Sequence, residues 1–389
     1  MYFCTELQKR HMEEKDFNNL DGQEIEQEDT SSGVLITQPF SPNDIKLSNP
    51  PMNLGDLIDM IQYDWIDFHT EYQRNEDLWS PGKQSRLIES AMLGLRLPAF
   101  YFEEVTRRHW KIIDGLQRCC AIRNFCVNES LELCELEFLD FNGKKFSDLP
   151  FDLKRDIRML PVTVNLLNSG VPDKVKYILF KRLNTGGMEL KPQEIRNAVF
   201  QGKAIELVKE LAVNSAFLKA TGHKIPTKRM QDQDFVTRFM AFYLLGYENY
   251  EPDLDNFMNT CLEMINHGKI SEEDINHMKK DFTRGMELAY EIFGNDAFRK
   301  RESVTDNRRP INKAYFEVIA VTLAKVDEND SVLILAHKEL FRTNLIAEMN
   351  RNRSYNYSFS GGTGQPDNVK RRFSRFAEIL RKSINNETI

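Results

Sequence analysis

The chain has 389 residues, 41% of them hydrophobic and 11% aromatic, with a formal net charge of −7. That apolar content excludes a wholly disordered chain, and the length suits two domains or one large domain with a helical extension. The acidic balance excludes a generally basic nucleic-acid coat, and no apolar run approaches the roughly 20 residues of a membrane span. A cytoplasmic protein without a membrane partner is therefore expected. The six Cys have neither CxxC nor zinc-finger spacing, and adjacent Cys119 and Cys120 read as small buried helix residues rather than a redox pair.

Residues 1–33 are polar and rich in Glu, Gln and Asp, which predicts an acidic mobile arm with a short helix around Leu7 to Lys15. Order is expected from Val34. Asn53 suits the N-cap of a helix through Ile61, and Ile66 to Phe68 reads as a short strand. Ser80 and Pro81 occupy the N-cap and N1 positions of a helix with Leu87, Ile88 and Met92 on one face. Ala99 to Phe102 reads as a core strand, with Thr106 to His109 as the tip of a hairpin. Further on, Leu131 to Phe141 is expected as a strand ending at Asn142-Gly143, and Leu149-Pro150 opens a helix through Leu160. Pro161 to Leu167 alternates as a strand, and Val171 to Leu183 has helical spacing.

The central stretch runs from Lys111 to Phe125. An apolar strand, Trp110 to Ile113, meets the breaker Asp114-Gly115, and helical periodicity starts at Gln117. One carboxylate, one amide and one guanidinium (Asp114, Gln117, Arg118) stand at this turn. The set can position a cation, a water and an anion together; an ordinary Gly turn with Asp114 as a cap is the plain alternative. Asn184-Thr185-Gly186-Gly187 ends a helix with two glycines, whose backbone N–H groups can cradle phosphate or simply cap the helix. Glu194, Arg196 and Asn197 lie on the next helix.

From residue 203 to 389 helical patterns dominate: Ala204 to Leu218, Gln231 to Tyr247, Asp253 to His267, Glu272 to Phe293, Ile311 to Val326 and Ser331 to Asn350. Two basic segments stand out, Arg299 to Arg309 and Lys370 to Lys382, with Tyr355, Tyr357 and Phe359 alternating beside Gly361 to Gly364. Arg371, Arg372 and Arg375 are candidate nucleic-acid contacts by phosphate pairing and stacking, or else a solvated helix face after a flexible loop.

Taken together, Tyr72-Gln73-Arg74-Asn75, Trp79-Ser80, Lys83 to Ser90, Leu93 to Pro98, Asp114 to Arg118, Phe180 to Gly187 and Gln193 to Asn197 closely resemble the GmrSD-type N-terminal domain. This family belongs to the ParB/sulfiredoxin-like superfamily and is common in bacterial defence against phage and modified DNA. The resemblance covers roughly Pro39 to Gly202. It implies an α+β, ParB/sulfiredoxin-like mixed-sheet core over residues 34–202, nucleotide-binding, followed by an all-helical domain over 203–389.

It also implies chemistry. The family's Asp-Gly-Gln-Gln-Arg motif goes with nucleoside triphosphate binding and hydrolysis. Here Asp114, Gly115, Gln117 and Arg118 match, and Leu116 stands where the family usually has its first Gln. Phosphoryl transfer needs neutralised phosphate oxygens and an oriented water. Arg118 and Arg74 can supply the charge, Asp114 can hold Mg2+ or orient water, and Gln73 or Gln117 can position the water. Asn184 to Gly187 supplies backbone donors, Glu194 is a second carboxylate, and Arg196 and Asn197 bind nucleotide or close the turn. The nucleotide (GTP, CTP or ATP) is left open. The expected function is an antiphage or restriction factor that hydrolyses a triphosphate on meeting DNA or a second defence protein; oligomerisation stays open. A ParB-like nuclease and a non-enzymatic nucleotide- or DNA-sensing subunit are the alternatives. The seven His residues do not form the His-Asn-His cluster of an HNH nuclease domain, so none is expected in this chain.

Overall fold

A computed structural model describes residues 25–29, 46–68, 79–183, 190–303 and 305–389. The chain divides into two compact units: Thr37–Val199, and Phe200–Ile389 together with Met1–Ile36.

The first unit is α+β. Its elements run Leu47–Ser48 (β1), Met52–Asn53 (β2), Leu54–Gln62 (α1), Ile66–Asp67 (β3), Pro81–Met92 (α2), Phe100–Thr106 (β4) and His109–Asp114 (β5). Then come Leu116–Ile122 (α3), extended by a π-helical turn at Arg123–Val127, Phe151–Met159 (α4), Pro161–Val162 (β6), Val164–Leu167 (β7), Asp173–Leu183 (α5) and Pro192–Val199 (α6). Among the described residues, five strands form a mixed sheet in the order β1-β7-β4-β5-β3. β4 lies antiparallel to β5 and parallel to β7, and β3 is parallel to β5. A separate antiparallel pair joins β2 to β6.

Local sequence accounts for most of these elements. In α1, Leu54, Leu57, Ile58 and Ile61 recur at helical spacing and are buried, and the Asp56 carboxylate accepts from the Asn53 N–H at 2.8 Å. Ser80 Oγ accepts from the Lys83 N–H at 3.3 Å, with Pro81 at the first helical position of α2. Phe100, Phe102 and Ile112 join Leu57, Ile88, Leu116 and Phe125 in one apolar core. On the other side of β4, Glu103 pairs with Lys176 of α5 at 2.6 Å. Its cross-strand partner Lys111 donates to the Ala198 carbonyl of α6 at 3.1 Å. Helices therefore cover both faces of the sheet.

One expected strand is absent. Leu131 to Phe141 has the apolar alternation of a strand, yet it is irregular. Leu131 and Leu133 N–H donate to the Asn124 and Lys144 carbonyls, and from Cys134 on side chains take over: Cys134 donates to Ser85 Oγ, Leu136 to Asn142 Oδ1, and Glu137, Phe138 and Leu139 to the Glu89 carboxylate at 2.8–3.0 Å. Buried Glu89, on α2, replaces the neighbouring strand that a ladder would require.

The second unit is helical: Lys203–Ala212 (α7), Ser215–Ala220 (α8), Gln231–Leu245 (α9), Leu254–Asn266 (α10), Glu272–Phe293 (α11), Lys313–Ala324 (α12), Glu328–Ala336 (α13), Lys338–Arg351 (α14), Arg353–Tyr357 (α15) and Pro366–Ile384 (α16). Two long helices expected from periodicity are each broken. Asn214 ends α7 and caps α8 by accepting from Ala216 and Phe217 N–H, and His337 separates α13 from α14. Helices α11 and α12 cross closely at Gly285, where a Cβ would lie 2.8 Å from the Ala324 nitrogen. No helix among the described residues is long and apolar enough to cross a membrane.

Within the acidic stretch expected to be mobile, residues 25–29 are held by this helical unit. Ile25 forms a parallel bridge with Ile311, and the Glu26 N–H donates to the Ile311 carbonyl at 2.8 Å. The expected helix at Leu7 to Lys15 lies outside the described residues.

Candidate functional site

The β4–β5 pair builds the centre of the site. Its register runs Phe102 opposite Ile112 and then Tyr101 opposite Asp114, so β5 carries one extra residue at Ile113. Such a bulge re-aims the side chain that follows. It turns Asp114 away from the core face of Phe102 and Ile112, and its carboxylate is 39% exposed. Gly115 then adopts φ +107°, and a Cβ there would sit 2.9 Å from the Phe100 ring and 3.1 Å from Arg118 Nη2. Only glycine fits both the backbone angle and the space.

That close turn brings Arg118 back over the end of the strand. Its Nη2 donates to Asp114 Oδ2 and to the Ala99 carbonyl, each at 3.0 Å, and the guanidinium lies over the Phe100 ring at 5.3 Å. Arg118 Nε is buried and has no hydrogen-bond partner among the described residues. Gln117 Oε1 accepts from the Trp79 N–H at 3.1 Å, which ties the start of the α2 segment to the turn. Asp114, Gly115 and Arg118 thus meet at one turn, and Gln117 ties that turn to Trp79. Phe100, the Ala99 carbonyl and Trp79 complete the arrangement. Strand pairing and chain return place these three; Trp79 belongs to the stretches that carry the resemblance, but its place beside the turn is not written in the spacing.

A second cluster occupies α6. Glu194 is buried and caps its own helix, accepting from the Lys191 N–H at 2.7 Å. Arg196 and Asn197 are fully buried. Gln193 Nε2 donates to Asn197 Oδ1 at 3.0 Å, Arg196 Nη1 donates to Gln193 Oε1 at 3.3 Å, and Arg196 lies over the Tyr177 ring. In this structure the cluster joins α6 to α5, and Lys111 joins it to β5. Gln73, Arg74, Asn184, Thr185, Gly186 and Gly187 lie outside the described residues.

The cysteines beside the motif are free thiols, and burial pushes Cys119 far above the ordinary thiol range and Cys126 up to about 12. They pack the core rather than react. Among the described residues no group of three or more His, Cys, Asp or Glu is placed to hold a metal ion.

The basic segments of the helical unit correct an expectation. Arg372 is not on the surface. It is fully buried on α16 with Val369, Phe373, Phe376 and Leu380, donates through Nε to Glu317 at 2.9 Å, and reaches the Thr363 and Ser358 carbonyls. Arg375 grips Glu348 with two nitrogens at 2.7 Å and also pairs with Glu378. Arg301 pairs with Asp296 and Arg309 with Glu302. Arg371 is exposed, beside Asn368. Tyr355 and Phe359 are buried as well, so they are core residues and not a stacking platform. Amphipathic burial of α16 explains the correction: Arg372 falls on the apolar stripe, where Glu317 supplies the charge it needs.

Comparison with known families gives a match within the first unit. Residues 54–201 fit the model described as GmrSD restriction endonuclease, N-terminal domain. The match spans every element from α1 through α6 and agrees with the resemblance carried by the motifs. No curated protein and no solved structure matches the chain.

Proposed function

With residues 54–201 a domain of the GmrSD N-terminal family, we propose that this protein is a restriction or antiphage factor that hydrolyses a nucleoside triphosphate on meeting DNA or a partner protein. The family membership supports the defence role and the interaction with DNA. The observation that carries the nucleotide reading is the bulged end of β5, where Asp114, Gly115 and Arg118 converge at one partly exposed turn.

Arg118 binds phosphate oxygens there and offsets the charge that builds on them during transfer. In the described structure one carboxylate oxygen already neutralises it, so the incoming phosphate competes with Asp114 Oδ2 for the same nitrogen. Asp114 Oδ1 makes no hydrogen bond to the described residues, and the side chain is 39% exposed. Mg2+ in nucleotide sites takes one or two carboxylates with phosphate and water oxygens. Asp114 fits that donor set as the single protein carboxylate, and the ion would supply charge neutralisation. Gln117 positions the loop at Trp79 and orients water through its amide. Asn184 to Gly187 and Arg74 contribute further donors. Glu194, Arg196 and Asn197 act indirectly, holding α6 together and against α5.

Phosphate release from each of the four triphosphates, with and without duplex DNA, tests this reading. Hydrolysis that is lost in Asp114→Ala and Arg118→Lys is expected. Hydrolysis unchanged in both variants would place the chemistry elsewhere.

A further inference from the structure

The segment Ile25-Glu26-Gln27-Glu28-Asp29 lies on the helical unit as a ligand would. Its main chain is read by the Ile311 carbonyl, which accepts from Glu26 N–H at 2.8 Å, and by Thr363 N–H, which donates to the Asp29 carbonyl at 2.9 Å. Glu26 and Glu28, two residues apart, both meet basic side chains of the helical unit. Glu26 meets Lys300 Nζ at 2.7 Å. Glu28 is held by both terminal nitrogens of Arg238 and by Thr363 Oγ1 at 2.9 Å. Asp29 accepts from the Gly362 N–H at 3.2 Å, and Gln27 faces solvent.

The receiving surface is built without this segment. Arg372 holds the Thr363 carbonyl at 2.8 Å, Asn368 Nδ2 donates to the Gly362 carbonyl at 3.0 Å, and Tyr250 Oη donates to the Gly364 carbonyl at 2.8 Å. Arg238 is aimed by Glu317 and Asp234. Lys300 is also held by Ser360 Oγ at 2.9 Å. Five residues docked through polar contacts, on a groove fixed from below, have the form of peptide recognition by main-chain pairing and charge.

We propose that this groove is a binding site for an extended acidic peptide of the pattern Glu-x-Glu-Asp, filled in cis by residues 25–29, and that a partner protein carrying such a segment binds by displacing them. Arg238 and Lys300 read the two alternate acids, the Gly362-Thr363 backbone reads the terminal Asp, and the Ile311 edge sets the direction of the chain.

The test uses the full-length protein and a fluorescein-labelled synthetic peptide of residues 22–32. Fluorescence anisotropy should show the peptide binding the Glu26→Gln/Glu28→Gln protein at least tenfold more tightly than the wild type, because the cis competitor is weakened. A scrambled peptide of the same composition should bind at least tenfold less well, and Lys300→Ala in the double variant should reduce affinity. No binding to the folded double variant, equal binding to it and to the wild type, or equal binding of the scrambled peptide would each overturn the proposal. Should the double variant not fold, hydrogen exchange on the wild type decides. Exchange of the Glu26 and Thr363 amides ahead of the α9 and α12 core supports a displaceable segment, and exchange only with that core refutes it.

Discussion

Arg118 Nη2 stands 3.0 Å from Asp114 Oδ2, the two residues lying on either side of Gly115 with Arg118 in the first turn of α3. The same nitrogen reaches the Ala99 carbonyl, so the guanidinium both closes the turn and faces the site. Arg118→Ala should cost about 1–2 kcal/mol of stability through these hydrogen bonds and roughly 100- to 1,000-fold in hydrolysis. Arg118→Lys keeps the charge without the fork, so its melting temperature should lie nearer the wild type while the rate stays low. Thermal melts and phosphate release on the same preparations separate the two effects. Full activity in the Lys variant would deny the fork a role.

Gly115 should be irreplaceable for a steric reason. Gly115→Ala places a left-handed residue against the Phe100 ring, at a cost of about 1–3 kcal/mol for the backbone alone. Gly143 is the control: its φ is +77°, but nothing lies within 4 Å of an added Cβ. Urea unfolding should show Gly115→Ala as the more destabilised of the two. Equal losses would mean that Phe100 yields and the turn is not locked.

Glu89 gives a prediction in pH. Burial alone would raise its carboxyl, yet the three N–H groups of Glu137, Phe138 and Leu139, with Arg86 nearby, hold it below the ordinary 4.5. A lowered folded value means that the carboxylate stabilises the protein above the unfolded value and ceases to as pH falls through the folded one. Glu89→Gln should therefore cost about 1–2 kcal/mol near neutrality, and the gap from the wild type should narrow as pH is lowered past 4.5. A gap that is constant across that range would refute the charged anchor.

Arg372 and its neighbour Arg371 should behave oppositely. Arg372→Met leaves Glu317 buried beneath Arg238 alone, and breaking such a pair costs about 3–5 kcal/mol. Arg371→Ala, on the exposed side, should stay within about 0.5 kcal/mol. Chemical denaturation of both variants checks this. A mild Arg372→Met would show that Glu317 is protonated without its partner at little expense.

Features written locally were legible. Ser80-Pro81, Asn53 with Asp56, and the Asp114-Gly115 break depend on residues a few positions apart, and the structure has the expected helix starts and turn there. Most single strands and helices were legible for the same reason, since period and breakers mark them; the mixed-sheet α+β core came with the resemblance to the family. What depended on distant partners was not. Leu131 to Phe141 alternates like a strand, but three of its N–H groups, those of Glu137, Phe138 and Leu139, are claimed by Glu89, some fifty positions earlier. Arg372 looks like part of a basic surface until Glu317, 55 positions away, is seen beside it. The bulge that aims Asp114 exists only once β4 and β5 are paired.

The docking of residues 25–29 also has a consequence in time. Glu28 leaves the ribosome 335 residues before Thr363, the hydroxyl it accepts from. At roughly 5–20 residues per second, about 15–70 s pass before its groove has been synthesised. Lys300, Ile311 and Gly362 arrive in that same late window, and the groove floor needs α16, which comes later still. The acidic segment thus waits, undocked, until the helices that hold it have been made. Its closure marks a helical unit that has been completed to its last long helix.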